Sequence, residues 1–100
     1  MTILTREFIE EVKSKIANEY DVKQIELVGS YRRNQAKETS DVDLLILDEK
    51  APRGMKYLEM IAKLEDDLGK EVGLMHLASM TRPTDEIIIK SMLKDIETYE

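Results

Sequence analysis

Apolar residues recur at helical spacing in three stretches of the sequence. The first covers residues 6–18, and Thr5 precedes it as a suitable N-cap. The second covers 53–68 and ends at Gly69, a residue type suited to the left-handed position after a helix. The third covers about 83–93. We predict a helix over each stretch. The apolar stripe of the first helix consists of Phe8, Ile9, Val12 and Ile16.

Three shorter aliphatic runs predict strands. They cover about 23–28, 41–47 and 71–77. The tail from 96 to 100 either continues the last helix or forms a short edge strand, and we predict the strand. The resulting order is helix, strand, strand, helix, strand, helix.

The lengths of the connections predict how the strands pair. Eleven residues, 30–40, separate the first two strands, too few for a parallel crossover with a full helix, so we expect an antiparallel pair. A helix of about four turns joins the second and third strands, which fits a right-handed parallel crossover. We therefore predict an α+β fold with a three-stranded mixed sheet, order 1-2-3, and helices mainly on one face. The end of the first strand and the starts of the other two then meet at one edge.

Composition narrows the class of protein. The chain has 100 residues, 42% hydrophobic and 36% charged, which fits one globular domain over 1–100. The sequence contains no cysteine and no apolar run near the roughly 20 residues that a bilayer-spanning helix needs. The start of the chain lacks the basic and apolar regions of a signal peptide, so we expect a cytoplasmic protein.

Charge is unevenly distributed. The net charge of −6 argues against direct nucleic-acid binding, because a protein that grips phosphates along a nucleic acid needs a basic face. Basic residues nevertheless cluster in the connection between the first two strands, at Arg32, Arg33 and Lys37. This local charge is suited to attracting a small polyphosphate.

Two aspartates begin the second strand. Residues two apart on a strand project to the same face, about 6.6 Å apart, so Asp41 and Asp43 point together. Two such carboxylates repel each other unless a cation lies between them. Mg²⁺ prefers oxygen ligands of this kind and usually binds substrate phosphates as well. The pair therefore predicts a site for Mg²⁺.

A Gly-Ser pair ends the first strand on the same edge. Gly29 permits a tight turn, and a short helix beginning at Ser30 has free N–H groups that can hold a phosphate. Either feature alone is most often a solvated turn. Together, a phosphate cradle beside a metal-binding carboxylate pair provides the minimum equipment for nucleotidyl transfer.

The spacing of these residues resembles a known motif. Gly29-Ser30, ten residues, then Asp41 and Asp43 are similar to the GSx10DxD motif of the DNA-polymerase-β-like nucleotidyltransferase superfamily. The sequence looks most like the minimal nucleotidyltransferase (MNT) group, whose usual pattern is close to GSxARGxxxxxSDxDLLV. The resemblance implies that Gly29, Ser30 and Arg33 bind the nucleotide, ATP. It also implies that Asp41 and Asp43 ligate Mg²⁺ and are catalytic.

Three positions depart from the family's pattern. Arg32 replaces a small residue, and Asn34 replaces a glycine but tolerates left-handed backbone angles better than most residues. In the third strand, family members usually carry a carboxylate, often viewed as the base that activates the attacking hydroxyl. Gly73 stands there instead. Glu71 shares its strand parity and is either a substitute carboxylate or an exposed strand-end charge, and we expect the second.

Residues outside the motif predict less chemistry. The single histidine, His76, is expected to be packed or at an edge rather than catalytic. Leu45 and Leu47 share the face of the two aspartates, and few residues remain to cover that face. We therefore expect a partner protein to cover it.

The resemblance also implies a partner and a reaction. Small MNT proteins are partners of HEPN-domain proteins in prokaryotic toxin–antitoxin pairs, where the MNT subunit is the antitoxin and transfers AMP from ATP to a tyrosine of the toxin. Two alternatives stay open. One is a nucleotide- or metal-binding module that neutralises its partner by stoichiometric binding. The other is transfer to a small molecule, although such relatives carry an additional domain. A homo-oligomer is also left open.

Overall fold

The structure is a computed structural model and describes residues 2–100. Over these residues the chain forms four helices and three strands, with a short 3-10 turn at Leu77–Ser79. None of the helices in this described part is both long and apolar enough to cross a membrane. In chain order the elements are α1 (Arg6–Glu19), β1 (Ile25–Val28), α2 (Gly29–Arg32), β2 (Val42–Ile46), α3 (Met55–Leu68), β3 (Val72–His76) and α4 (Asp85–Thr98).

The three strands form one mixed sheet with β2 in the centre. β1 pairs with β2 antiparallel and β3 pairs with β2 parallel, as the connection lengths predicted. The register places Val28 beside Asp43, and Asp43 beside Gly73. The end of β1 and the starts of β2 and β3 therefore meet at one edge of the sheet, as predicted.

The alternation of side chains along β2 creates two apolar layers. Leu44 and its neighbours of the same parity are fully buried against α1 and α3. On the opposite face, Leu45 is fully buried in a cluster with Val28 and with Met92 of α4. The two helices α1 and α3 thus cover one face of the sheet, and α4 covers the other.

The expectation that a partner covers the face of Leu45 and Leu47 is wrong. Leu45 is 0% exposed and Leu47 packs against the same cluster, in which α4 supplies Met92. The sequence interpretation ended the last helix too early and so left this face without its cover. An apolar surface beside the aspartates is therefore no reason to invoke a partner.

The predicted edge strand at the C-terminal tail is also wrong, because α4 continues to Thr98. Ile89, Met92 and Ile96 extend the helical stripe that faces the sheet. The end of the helix is further held by Arg32, whose side chain donates to the main-chain carbonyls of Ile96 and Tyr99. Carbonyls at a helix end have no partner within the helix, so this contact satisfies two of them.

The other helix ends follow local sequence rules. The hydroxyl of Thr5 accepts the N–H of Phe8, as expected of an N-cap. Gly69 follows α3 with a φ of +68°, the left-handed conformation predicted for it. α3 begins at Met55 rather than at position 53, because Gly54 has a φ of +57° and cannot belong to the helix.

Candidate active site

The carboxylate of Asp43 lies between two glycines: Gly29, directly after β1, and Gly73 in β3. A Cβ placed on Gly29 would be 2.6 Å from Oδ2 of Asp43, and one on Gly73 would be 2.7 Å from Oδ1. Real side chains do not approach so closely, so any side chain at either position would displace the carboxylate. The two glycines therefore provide the space in which Asp43 sits.

Gly29 is also required by the backbone. Its φ of +78° lies in the left-handed region, which side chains rarely adopt. The residue follows β1 and begins α2, so the chain turns from strand to helix directly over Asp43. Ser30, half-buried, is the next residue of this turn. The predicted phosphate-binding turn and the predicted metal-binding residue are thus in contact.

The two aspartates differ in their surroundings. Asp41 is exposed and directly precedes β2, whereas Asp43 is half-buried within the strand. Burial raises the pKa of Asp43 above its ordinary value, the charge of Asp41 raises it further, and Arg33 offsets part of the rise. Ionised Asp43 is therefore electrostatically unfavourable in the protein alone, and a cation between the two carboxylates would relieve this.

The available ligands fit a cation that binds together with a nucleotide. Within residues 2–100, no group of three or more acidic, histidine or cysteine side chains converges as a metal site. Asp41 and Asp43 alone would leave most of the octahedral shell of Mg²⁺ to water and phosphate oxygens. Mg²⁺ commonly binds in this way, through one or two carboxylates and the phosphates of a substrate.

β3 brings no carboxylate to Asp43. Gly73 pairs with Asp43 across the strands, at the position where the family resemblance leads us to expect an acidic residue. Glu71 is exposed and lies just before β3, where its main-chain carbonyl accepts the N–H of Val42. It lines a depression of about 520 Å³ together with Asp41. Its exposure agrees with an exposed charge at the strand end, and a role as substitute carboxylate stays a prediction to be tested.

Arg33 is held by a buried acidic residue that the sequence interpretation missed. Its Nη1 donates to Oδ2 of Asp95 at 2.8 Å, and its Nε donates to Oε1 of Gln35 at 3.2 Å. The same Asp95 oxygen accepts the N–H of Gly29 at 3.0 Å. Asp95 is 5% exposed and belongs to α4, so α4 contributes to this site as well as to the core.

A helical signal for Asp95 was present in the sequence. Asp95 follows Met92 by three residues, so in a continuous helix both lie on the face that packs against the sheet. The signal was lost because the helix was predicted to end near residue 93.

The side chain of Arg32 extends in a different direction from that of Arg33, and the residue is 4% exposed. Its Nε donates to the carbonyl of Tyr99 at 2.6 Å, and its Nη2 donates to that of Ile96 at 3.1 Å. Its Nη1 donates to the carbonyl of Leu27 and to the carboxylate of Glu26. This departure from the family's small residue therefore ties α2 to the end of α4 and does not face the two aspartates.

Asn34 and His76 have structural roles. Asn34 has a φ of +57°, so it adopts the left-handed conformation for which the family's pattern has glycine. The ring nitrogens of His76 lie 2.7 Å from the carbonyl of Asp48 and 3.0 Å from the hydroxyl of Ser79. These contacts lie at the far end of β3, which agrees with a structural histidine.

Comparison with known proteins identifies the family. Residues 5–97 match the family model described as a nucleotidyltransferase domain. The chain belongs to the nucleotidyltransferase family. This nucleotidyltransferase is 35% identical to the protein adenylyltransferase MntA of Thermococcus cleftensis over 100 residues, which cover 96% of this chain and 97% of the relative. The family and the enzyme class predicted from the GSx10DxD spacing are confirmed.

A solved structure supports the fold. The nucleotidyltransferase resembles a chain in the crystal structure of a toxin–antitoxin with AMP-PNP, with a TM-score of 0.61. The two are 22% identical, and the match covers 90% of this chain and 86% of that chain. The predicted α+β fold with its three-stranded mixed sheet is thereby confirmed.

Proposed function

We propose that this nucleotidyltransferase is a Mg²⁺-dependent protein adenylyltransferase, the antitoxin of a HEPN/MNT toxin–antitoxin pair. It would transfer AMP from ATP to a tyrosine of the HEPN toxin in the cytoplasm. The observation that carries the proposal is the contact between the Gly29 turn and the carboxylate of Asp43, with Asp41 beside it. The acceptor class is supported by the name of the relative from Thermococcus cleftensis, a protein adenylyltransferase.

The chain's own residues would divide the work of this reaction. Asp41 and Asp43 would hold Mg²⁺, which when bound supplies positive charge to the phosphate oxygens. The Gly29-Ser30 turn would hold the triphosphate, and Arg33, whose charge already acts on Asp43, would neutralise part of its negative charge. The tyrosine oxygen then bonds to the α-phosphorus of ATP, the bond from that phosphorus to the β-phosphate oxygen breaks, and pyrophosphate leaves.

Removal of the proton from the attacking tyrosine is the step for which this site is least equipped. A general base typically contributes about 10²–10⁴-fold in rate. Because Gly73 stands beside Asp43, no carboxylate from β3 can accept the proton. We therefore expect slow transfer unless Glu71 or a group of the acceptor protein accepts the proton.

The presence of Gly73 in place of a carboxylate also favours a second function. A chain that binds Mg²⁺ and ATP but lacks a base would neutralise its partner by stoichiometric binding, without transferring AMP. The two functions predict different behaviour for a variant that cannot hold the metal. A catalytic antitoxin would lose its effect on the toxin, whereas a binding antitoxin would keep it.

Mass spectrometry of the acceptor separates these functions. The chain is incubated with Mg²⁺, ATP and a candidate HEPN-domain toxin, and the intact mass of the toxin is measured. We expect a gain of one or more AMP groups on tyrosine with the natural chain and no gain with Asp43→Asn. Asp66→Asn, the same change on the exposed surface of α3, is the matched control and should leave the transfer unchanged.

Complex formation is measured on the same samples by size-exclusion chromatography. An unmodified acceptor that is nevertheless bound and inhibited, equally by the natural chain and by Asp43→Asn, would contradict adenylyl transfer and support the binding function.

A further inference from the structure

Two buried charged side chains join α2 to α4, one from each helix. Arg32 reaches from α2 to the carbonyls of Ile96 and Tyr99 at the end of α4. Asp95 reaches from α4 to the N–H of Gly29 and to the guanidinium of Arg33. Their side chains are 5% and 7% exposed, so both contacts are shielded from water.

The contact with Asp95 fixes the orientation of Arg33. A guanidinium is a rigid planar fork, so anchoring Nη1 on Asp95 and Nε on Gln35 sets the direction of the whole group. The side chain of Arg33 remains 33% exposed, and its charge acts on Asp43. It is therefore held near the metal-binding aspartates and open to solvent on one side.

Without Asp95, the guanidinium of Arg33 would keep only its contact with Gln35, an exposed residue two positions along the chain. The guanidinium could then rotate. Binding a phosphate would require that it be ordered again, at a cost in conformational entropy that lowers the affinity.

We infer that Asp95 is a positioning residue of the nucleotide site. Its carboxylate holds the turn at Gly29 and the guanidinium of Arg33 at fixed places. The inference rests on the proposed function, because it requires that the site bind Mg²⁺ and ATP. Asp95 itself contacts neither of them and acts through Arg33.

The test is the affinity for Mg²⁺–ATP, measured by titration calorimetry. Asp95→Asn retains an oxygen for the N–H of Gly29 but removes the charge that anchors Arg33. We expect the affinity to fall on the order of tenfold, the lower end of the loss seen when a group that orients a ligand-binding residue is removed.

The matched control is Asp85→Asn on the same helix. Asp85 is also 5% exposed and also binds an arginine and a main-chain N–H, both from Arg82. It lies ten residues from Asp95, which is about 15 Å along the helix. A general loss of helix stability would lower the affinity in both variants, whereas we expect only Asp95→Asn to weaken the binding of Mg²⁺–ATP.

A double-mutant cycle distinguishes positioning from a merely structural role. If Asp95 acts through Arg33, Asp95→Asn should have no further effect on Mg²⁺–ATP affinity in an Arg33→Gln background. Equal losses in both backgrounds would mean that the two residues act independently, which contradicts the inference. Should Asp95→Asn fail to fold, Asp95→Glu replaces it. The longer side chain keeps the charge but displaces Arg33, so weaker binding is again expected and unchanged binding would contradict the inference.

Failure of the inference differs from failure of the proposed function. If the natural chain binds Mg²⁺–ATP and Asp95→Asn binds it equally well or better, the positioning role is wrong and the proposed function stands. If the natural chain itself does not bind Mg²⁺–ATP, the proposed function is wrong, and the inference is wrong with it.

Discussion

A carboxylate introduced at position 73 would test the chemistry of the site with a single substitution. Gly73 is a strand residue and is not among the glycines with positive φ, so its backbone accepts a side chain. The new Cβ would meet Oδ1 of Asp43 at 2.7 Å, and this atom is the free end of a side chain that can rotate away. In Gly73→Asp the new carboxylate would therefore lie directly beside Asp43.

The magnitude of the effect follows from this geometry. Two carboxylates about 4 Å apart repel each other by about 1 kcal/mol when fully solvated and by about 4 kcal/mol at the effective dielectric constant of a protein surface. Without metal, Gly73→Asp should therefore be less stable than Gly73→Asn by about 1–4 kcal/mol. Gly73→Asn is the matched control because it has the same size and no charge. In Mg²⁺ the difference should shrink, since a cation between the carboxylates offsets their repulsion.

Two assays follow from this substitution. Urea unfolding with and without Mg²⁺ measures the repulsion, and single-turnover transfer of AMP to the partner measures catalysis. A third carboxylate that acts as general base should raise the transfer rate by about 10²–10⁴-fold, with no rise in Gly73→Asn. Glu71→Gln in the natural background tests the other source of a base and should leave transfer unchanged if Glu71 is only an exposed charge.

Three results would refute this reasoning. Equal stability of Gly73→Asp and Gly73→Asn without metal would mean that the new carboxylate does not lie beside Asp43. Equal transfer rates in these two variants would show that the missing carboxylate does not limit the reaction. Loss of transfer in Glu71→Gln would identify Glu71 as the displaced base.

Further substitutions test the electrostatics, the nucleotide contact and the link between helices. Because burial and the charge of Asp41 raise the pKa of Asp43 in the folded state, its ionisation destabilises the fold progressively as the pH rises from the ordinary pKa of 3.8 to the raised pKa. Asp43→Asn should therefore raise the midpoint temperature of thermal unfolding at pH 7 without metal. This gain in midpoint temperature should vanish below pH 3.8, the ordinary pKa of the group. A lower midpoint temperature than that of the natural chain at pH 7 would contradict this. Ser30→Ala should weaken the binding of ATP and of GTP by similar factors, about 1–3 kcal/mol if a charged hydrogen bond is lost. If titration calorimetry shows weaker binding of ATP alone, Ser30 contacts the nucleobase instead. Arg32→Met should lower the free energy of unfolding by about 2–4 kcal/mol in urea, because buried carbonyls lose their donors, and a change below about 0.5 kcal/mol would rule out the link between α2 and α4.

Local patterns were sufficient to predict most of the sheet and the edge on which the site lies. The aliphatic runs of β1 and β2 and the short connection between them fixed an antiparallel pair, and a helix-containing connection fixed a parallel β3. These pairings bring Gly29, Asp43 and Gly73 together. That a glycine stands at position 73 in place of a carboxylate was foreseen from the resemblance to the family's pattern. The strand pairings depend on residues close in sequence and on the period of side chains along a strand.

The contribution of α4 was missed because it depends on contacts between distant residues. Arg32 binds the carbonyls of Ile96 and Tyr99, 64 and 67 residues away in sequence. Asp95 binds Arg33 and Gly29 across 62 and 66 residues. Sequence periodicity reports a helix but gives no information on which arginine will satisfy its end. The partners of these buried charges therefore became visible only in three dimensions.

The central claim is that the site formed by Asp41 and Asp43 transfers AMP to a protein. The most direct measurement uses ATP labelled at the α-phosphate and, in parallel, ATP labelled at the γ-phosphate, with Mg²⁺ and the proposed HEPN-domain partner. We predict that only the α label becomes covalently attached to the partner, and that Asp41→Asn or removal of Mg²⁺ prevents it. Attachment of the γ label, or of the α label undiminished in Asp41→Asn, would contradict the claim.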